Sequence, residues 1–234
     1  MTFIPLTQSL LREKQQDLDF QDLQGLLRIN AKIGKVTIFS GFYTRIDQVF
    51  IVWGLICGVI FISAQFLALS WQTQAIIWST FSALGTLGMI LLTWFWVSVE
   101  KLRWLVYSWF VLMFGGIVIT DLGIFLGWAQ VLINLCPIWL SLCALGYIIT
   151  ALAVRSRAFV LMAIVHLLGV GILPLFSGWQ FLGTGLVMSV SLLLLAEMQW
   201  DMRPPIEYSL LSAKQKQFNR EQQQQRLLSL QKNI

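Results

Sequence analysis

The sequence predicts an all-α, polytopic integral membrane protein with six transmembrane helices, arranged as three antiparallel hairpins with both ends in the cytoplasm. Three observations predict it: a lipid-compatible composition, six apolar segments of bilayer length, and the sorting of every basic residue to one side. Hydrophobic residues make up 57% of the 234 residues and charged residues 12%, where soluble proteins carry about a quarter charged. A soluble fold of this size would need far more polar surface to cover its core. Lipid is the solvent that tolerates this balance.

A spanning helix needs roughly 20 mostly apolar residues. Segments of this kind are predicted at Val49–Leu69, Ala75–Val97, Leu105–Leu126, Val131–Val154, Ala158–Phe176 and Phe181–Glu197. The breaks between them are short, and short connections force neighbouring helices to run antiparallel. Helices are the only choice, because alternating strand patterns are absent and lipid leaves no backbone group unpaired.

The chain holds 16 Lys and Arg, and their placement predicts orientation. Six lie in the N-terminal segment (Arg12, Lys14, Arg28, Lys32, Lys35, Arg45). Two lie in the second loop (Lys101, Arg103), two in the fourth (Arg155, Arg157) and six in the tail (Arg203, Lys214, Lys216, Arg220, Arg226, Lys232). Loops one, three and five carry none. Basic residues on short loops stay cytoplasmic, so both termini are expected there. Trp71, Trp128 and Trp179 in the outer loops and Trp94, Trp96, Trp104 and Trp200 near the inner ends read as aromatic belts, which Trp139 does not fit.

Three regions follow: a cytoplasmic segment over 1–46, a six-helix membrane domain over 47–200, and a basic, Gln-rich helical tail over 201–234. Residues Met1 to Gly41 are charged and lack an apolar signal core, so the first long apolar segment is expected to act as signal and anchor. Leu11, Leu18, Leu26, Ile29 and Ile33 fall at helical spacing and predict a partly amphipathic helix, interrupted by Gly25 and Gly34. In the tail, Pro204-Pro205 reads as a helix start, with a stripe of Ile206, Leu210 and Ala213. A Trp followed closely by Gln recurs in each outer turn, at Trp spacings of 57 and 51, and offers a threefold hairpin repeat as one reading. Ordinary interface-turn composition is the other.

Ionisable groups at bilayer depth are costly and therefore candidates for function. Asp121 lies seven residues before Trp128, roughly 10 Å below the outer interface at 1.5 Å per residue. His166, the only histidine, lies near the midplane. The candidate intramembrane polar site is thus Asp121, Asn134 and His166. In one reading Asp121 is a proton or cation site with His166 along a relay. In the other, which the sequence favours, Asp121 is structural and Asn134 donates to it across the hairpin. His166 has a haem or chlorophyll ligand reading beside the commoner one of a histidine on Ser or a backbone carbonyl. Pro137 and Pro174 free the carbonyls of Ile133 and Val170, which with Gln65 and Thr184 offer an outward-facing polar cavity or ordinary kinks. The intramembrane glycines read as close-packing sites.

Cys57, Cys136 and Cys143 lie in apolar runs without ligand spacing, so neither disulfide nor metal is expected. No phosphate loop, nucleophile elbow, zinc helix or dinucleotide fingerprint occurs. No catalytic residue, cofactor or nucleic-acid partner is therefore expected. The functional expectation is a non-enzymatic accessory or assembly factor in a bacterial inner or internal photosynthetic membrane, acting through contacts of its cytoplasmic N- and C-terminal helices. The alternative is a small transporter or channel-like protein with a polar site around Asp121.

Overall fold

The computed structural model describes residues 9–33, 36–203 and 210–232. The elements are, in order, β1 (Leu11–Arg12), α1 (Phe20–Leu23), β2 (Leu27–Ile33), β3 (Val36–Tyr43), α2 (Arg45–Phe66), α3 (Trp71–Val99), α4 (Arg103–Phe125), α5 (Ala129–Ile133), α6 (Leu135–Val154), α7 (Arg157–Ile172), a 3-10 turn (Leu173–Leu175), α8 (Gln180–Glu197), β4 (Gln199–Trp200) and α9 (Ala213–Lys232). Six of them, namely α2, α3, α4, α6, α7 with its 3-10 turn, and α8, are long and apolar enough to cross a bilayer.

Local chemistry sets the helix limits. Thr44 caps α2: its hydroxyl accepts from the Asp47 amide at 3.3 Å while the Asp47 carboxylate accepts from the Thr44 amide at 2.8 Å. Ser70 caps α3, accepting from the Thr73 amide at 3.2 Å. That cap adds Trp71–Gln74, expected as loop, to the helix, whose 29 residues reach about 43 Å and exceed the roughly 30 Å hydrocarbon core. The fourth expected span is broken at Asn134 into α5 and α6. The cause is Pro137, which has no amide to offer and crowds the Ile133 carbonyl. Pro174 acts likewise, falling in the 3-10 turn that ends α7.

The N-terminal segment departs from its expected helix. Among its described residues before α2, only Phe20–Leu23 is α-helical. Leu11 sits in β1, paired with Trp200 of β4, while β2 and β3 form an antiparallel hairpin from Leu27↔Tyr43 to Ile33↔Val36. Gly25, at φ +70°, turns the chain out of α1. The β-branched residues that follow, among them Ile29, Ile33, Val36, Thr37 and Ile38, favour a pleated strand over a helix. The helical spacing of the apolar residues was accidental. The expected tail start at Pro204-Pro205 and its Ile206 lie outside the described residues.

Packing also differs from three separate hairpins. The expected partners do touch, yet α2 packs most extensively on α8, and α6 on α7. Helices α2, α3, α4, α6 and α8 form a ring in which each touches the next and the last closes on the first. Small residues allow the closure: a Cβ on Gly185 would sit 2.6 Å from Phe61, and one on Gly54 3.1 Å from Leu193. Among the glycines expected to mediate close packing, Gly85, Gly116 and Gly169 do so, whereas a Cβ on Gly88, Gly115 or Gly171 would meet nothing within 4 Å.

Candidate functional site

The three residues of the predicted polar site do not come together through any hydrogen bond among the described residues. Asp121, half-buried on α4, takes the Ser79 hydroxyl of α3 at 2.9 Å from each carboxylate oxygen. Asn134 is exposed and donates to its own helix, at 2.8 Å from the Gln130 carbonyl, and the expected bond to Asp121 is not formed. His166 is fully buried on α7, with Nδ1 2.8 Å from the Met162 carbonyl. A carbonyl only accepts, so Nδ1 carries the proton and Nε2 is left with a bare lone pair, facing no hydrogen-bond partner among the described residues. Its ring meets Tyr147 edge-on at 4.9 Å. Gln65, Thr184 and the freed carbonyls, offered for an outward polar cavity, share no hydrogen bond among the described residues. Gln65 instead ties α2 to the start of α8, donating to Gly178 at 2.8 Å and accepting from the Leu182 amide at 3.2 Å, and Thr184 is fully buried.

What the ring of helices encloses is apolar. A chamber of about 160 Å³ runs along its axis. On α2 its lining extends from Ile46 to Phe61, about 22 Å at 1.5 Å per residue. All five ring helices line it, while α7 contributes Phe159 alone. Six tryptophans, Trp53, Trp78, Trp96, Trp109, Trp139 and Trp200, hold the helices apart, and among the described residues no Asp, Glu, Lys, Arg or His lines the space. Phe159 and Trp200, with ring centres 4.9 Å apart, close the end near the termini.

The chamber wall between α4 and α6 is built from one motif used twice. Trp109, Gly116 and Thr120 on α4 and Trp139, Gly146 and Thr150 on α6 share the spacing W-x6-G-x3-T. The two helices mesh reciprocally. Trp109 donates from Nε1 to Thr150 at 3.0 Å, and Trp139 donates to Thr120 at 3.1 Å. Each indole lies over the other helix's glycine, where a Cβ on Gly146 would collide with Trp109 and one on Gly116 would come within 2.9 Å of Trp139. This explains why Trp139 lies too deep for an aromatic belt. The repeated spacing is visible in the sequence and is the signal that reading missed.

A polar cap covers the end where the N-terminal segment and α9 meet the membrane helices. Glu100, 2% exposed, accepts from Gln21 Nε2 at 3.1 Å and from Arg203 at 3.3 Å. Asn219 of α9 donates to Gln21 at 3.0 Å and accepts the Phe20 amide at 2.7 Å. Arg226 pairs with Asp19, and Trp96 donates to Asp22 at 2.8 Å. Leu211 plugs the same region against Val99 and Phe20. Burial, then the charges of Asp19 and Glu100, push Asp22 up to about 7, against the pull of the Trp96 bond. Asp201 caps α7 from outside it, accepting from the Ala158 amide at 3.0 Å, the Ser156 hydroxyl at 2.8 Å and Arg157 Nε at 2.9 Å. Burial acts to raise its pKa, but these bonds together outweigh burial and lower it.

With this geometry in hand, comparison with known protein families, curated proteins and solved structures finds no match. Six bilayer-length apolar helices define the class, a multi-pass helical membrane protein.

Proposed function

We propose that the chain is a non-enzymatic accessory or assembly factor of a bacterial inner or internal photosynthetic membrane, with both termini in the cytoplasm, acting through protein contacts on the face that carries them. The cytoplasmic assignment rests on the sixteen basic residues, none of which falls in the three loops opposite the termini.

One observation carries the contact reading. Among the described residues the β2–β3 hairpin is a two-stranded sheet by itself, and residues 27 to 30 of β2 are exposed on both faces. Leu27 is 47% and Ile29 41% exposed on one face. A lone hairpin is marginal in water and is stabilised by a third strand or an apolar cover. A partner protein supplying that strand would complete it. The tail helix α9 is clasped to the N-terminal segment through Asn219 and Arg226. The transporter alternative draws less support, because Asp121 is met by Ser79 and joined by neither Asn134 nor His166.

Native electrophoresis of mildly solubilised membranes tests the proposal. The tagged chain is expected to migrate in a complex much larger than itself, and Leu27→Asp with Ile29→Asp is expected to release it without lowering the melting temperature of the helical domain. A wild-type chain migrating alone, or a double variant still in the complex, overturns it.

A further inference from the structure

We propose that the axial chamber is a binding site for one linear hydrocarbon tail of a membrane lipid. Shape, lining chemistry and surroundings each point to this occupant. The chamber's volume of about 160 Å³ compares with an engineered dry cavity of about 150 Å³ that takes up benzene. Here the space is drawn out over about 22 Å, most of the roughly 30 Å hydrocarbon core, so a thin chain fits where a compact ring system does not.

The lining is overwhelmingly apolar and offers a polar solute little, with Trp78 Nε1 a buried donor that has no partner among the described residues. Three of its hydroxyls already donate within the chain: Thr93 to the Met89 carbonyl at 2.7 Å, Thr150 to the Gly146 carbonyl at 2.8 Å, and Ser79 to Asp121 at 2.9 Å. Thr120 accepts from Trp139 at 3.1 Å. Along most of the space a water would lack the two to four polar partners that hold buried water. Leaving the space empty costs free energy that grows with its volume. In a bilayer, the molecule at hand to fill it is a lipid chain. The tryptophan rings present broad apolar faces, and Met89, Met113 and Met188 give the middle of the wall an adaptable surface.

The experiment uses the full-length protein in vesicles containing a phosphatidylglycerol whose palmitoyl chain ends in a diazirine, with adducts mapped by mass spectrometry after illumination. Met89, Met113 and Met188 line the chamber and are only 9%, 4% and 4% exposed, so adducts on them are the expected result. Leu91, Phe114 and Leu167, at 70%, 58% and 51% exposure, report contact with bulk lipid. Ser82→Phe or Met113→Trp, which fill the chamber, are expected to cut labelling of Met188 by about tenfold and leave the outward positions unchanged. Adducts confined to outward positions in the wild-type protein overturn the proposal, whatever the filled variants do. Inward labelling that persists undiminished in a filled variant that remains folded overturns it too.

Discussion

Asp22 illustrates how much one side chain can couple the cap to its surroundings. Its pKa rises from 3.8 to about 7 because burial and the carboxylates of Asp19 and Glu100 disfavour its charge. Between those values the folded chain keeps a proton that the unfolded chain has lost, so the cap loses stability as pH rises through that window and loses no more above it. Asp19, also raised, first by burial and against Arg226, contributes with the same sign. Hydrogen exchange in α9, corrected for its intrinsic pH dependence, is expected to be several-fold faster at about pH 8 than at about pH 5.5, and Asp22→Asn to flatten the difference. Asp121 makes a contrasting case. Its bond to Ser79 survives in Asp121→Asn, because the amide oxygen still accepts, so unfolding in detergent should change by about 1 kcal/mol or less. Ser79→Ala strands the carboxylate and should cost about 1–3 kcal/mol. A larger loss from Asp121→Asn than from Ser79→Ala would contradict the structural role.

At the scale of elements, the doubled W-x6-G-x3-T motif decides how α4 and α6 meet. A ring on each helix is accommodated by a glycine on the other and anchored by a threonine four residues further on. Gly146→Val and Gly116→Val should each overpack the seam and cost about 1–3 kcal/mol. Thr120→Val and Thr150→Val remove one interhelical bond apiece, worth about 0.6 kcal/mol on average inside membranes. Pairing Gly146→Ala with Trp109→Phe should recover part of the glycine penalty, and unfolding of the single and double variants gives that coupling directly. The same motif marks the limit of reading helices singly. Its two copies are plain in the sequence, but only their antiparallel contact shows that each supplies what the other needs.

For the whole molecule, orientation and closure are separate matters. Two lysines inserted between Gly127 and Ala129 would place cations in a loop that has none and should reduce correct insertion severalfold, read as loss of membrane-integrated protein or as external accessibility of a terminal reporter. Deleting residues 210–232 removes Leu211, Asn219 and Arg226 from the cap, uncovers Gln21 and Asp19, and should speed proteolysis of the N-terminal segment while the six spans persist. Ring closure depends on α2 meeting α8, the first span against the last, so Gly185→Leu should loosen the chamber as well as destabilise the protein.

The sequence by itself determined the lipid environment, the number of spans, most of their limits and the gathering of cations at one end. Each of these rests on local chemistry, since apolar length, prolines, capping hydroxyls and charge act within a few residues. Tertiary structure alone decided that the spans close into a ring around an apolar chamber, that Asp121, Asn134 and His166 stay without mutual bonds, and that an expected N-terminal helix is a hairpin. Those outcomes depend on which faces meet across the molecule. Asp121 and Asn134 lie at similar depth on neighbouring spans, yet depth does not say where a side chain points around a helix. An indole over a glycine, or a threonine facing an indole, is a property of two helices at once.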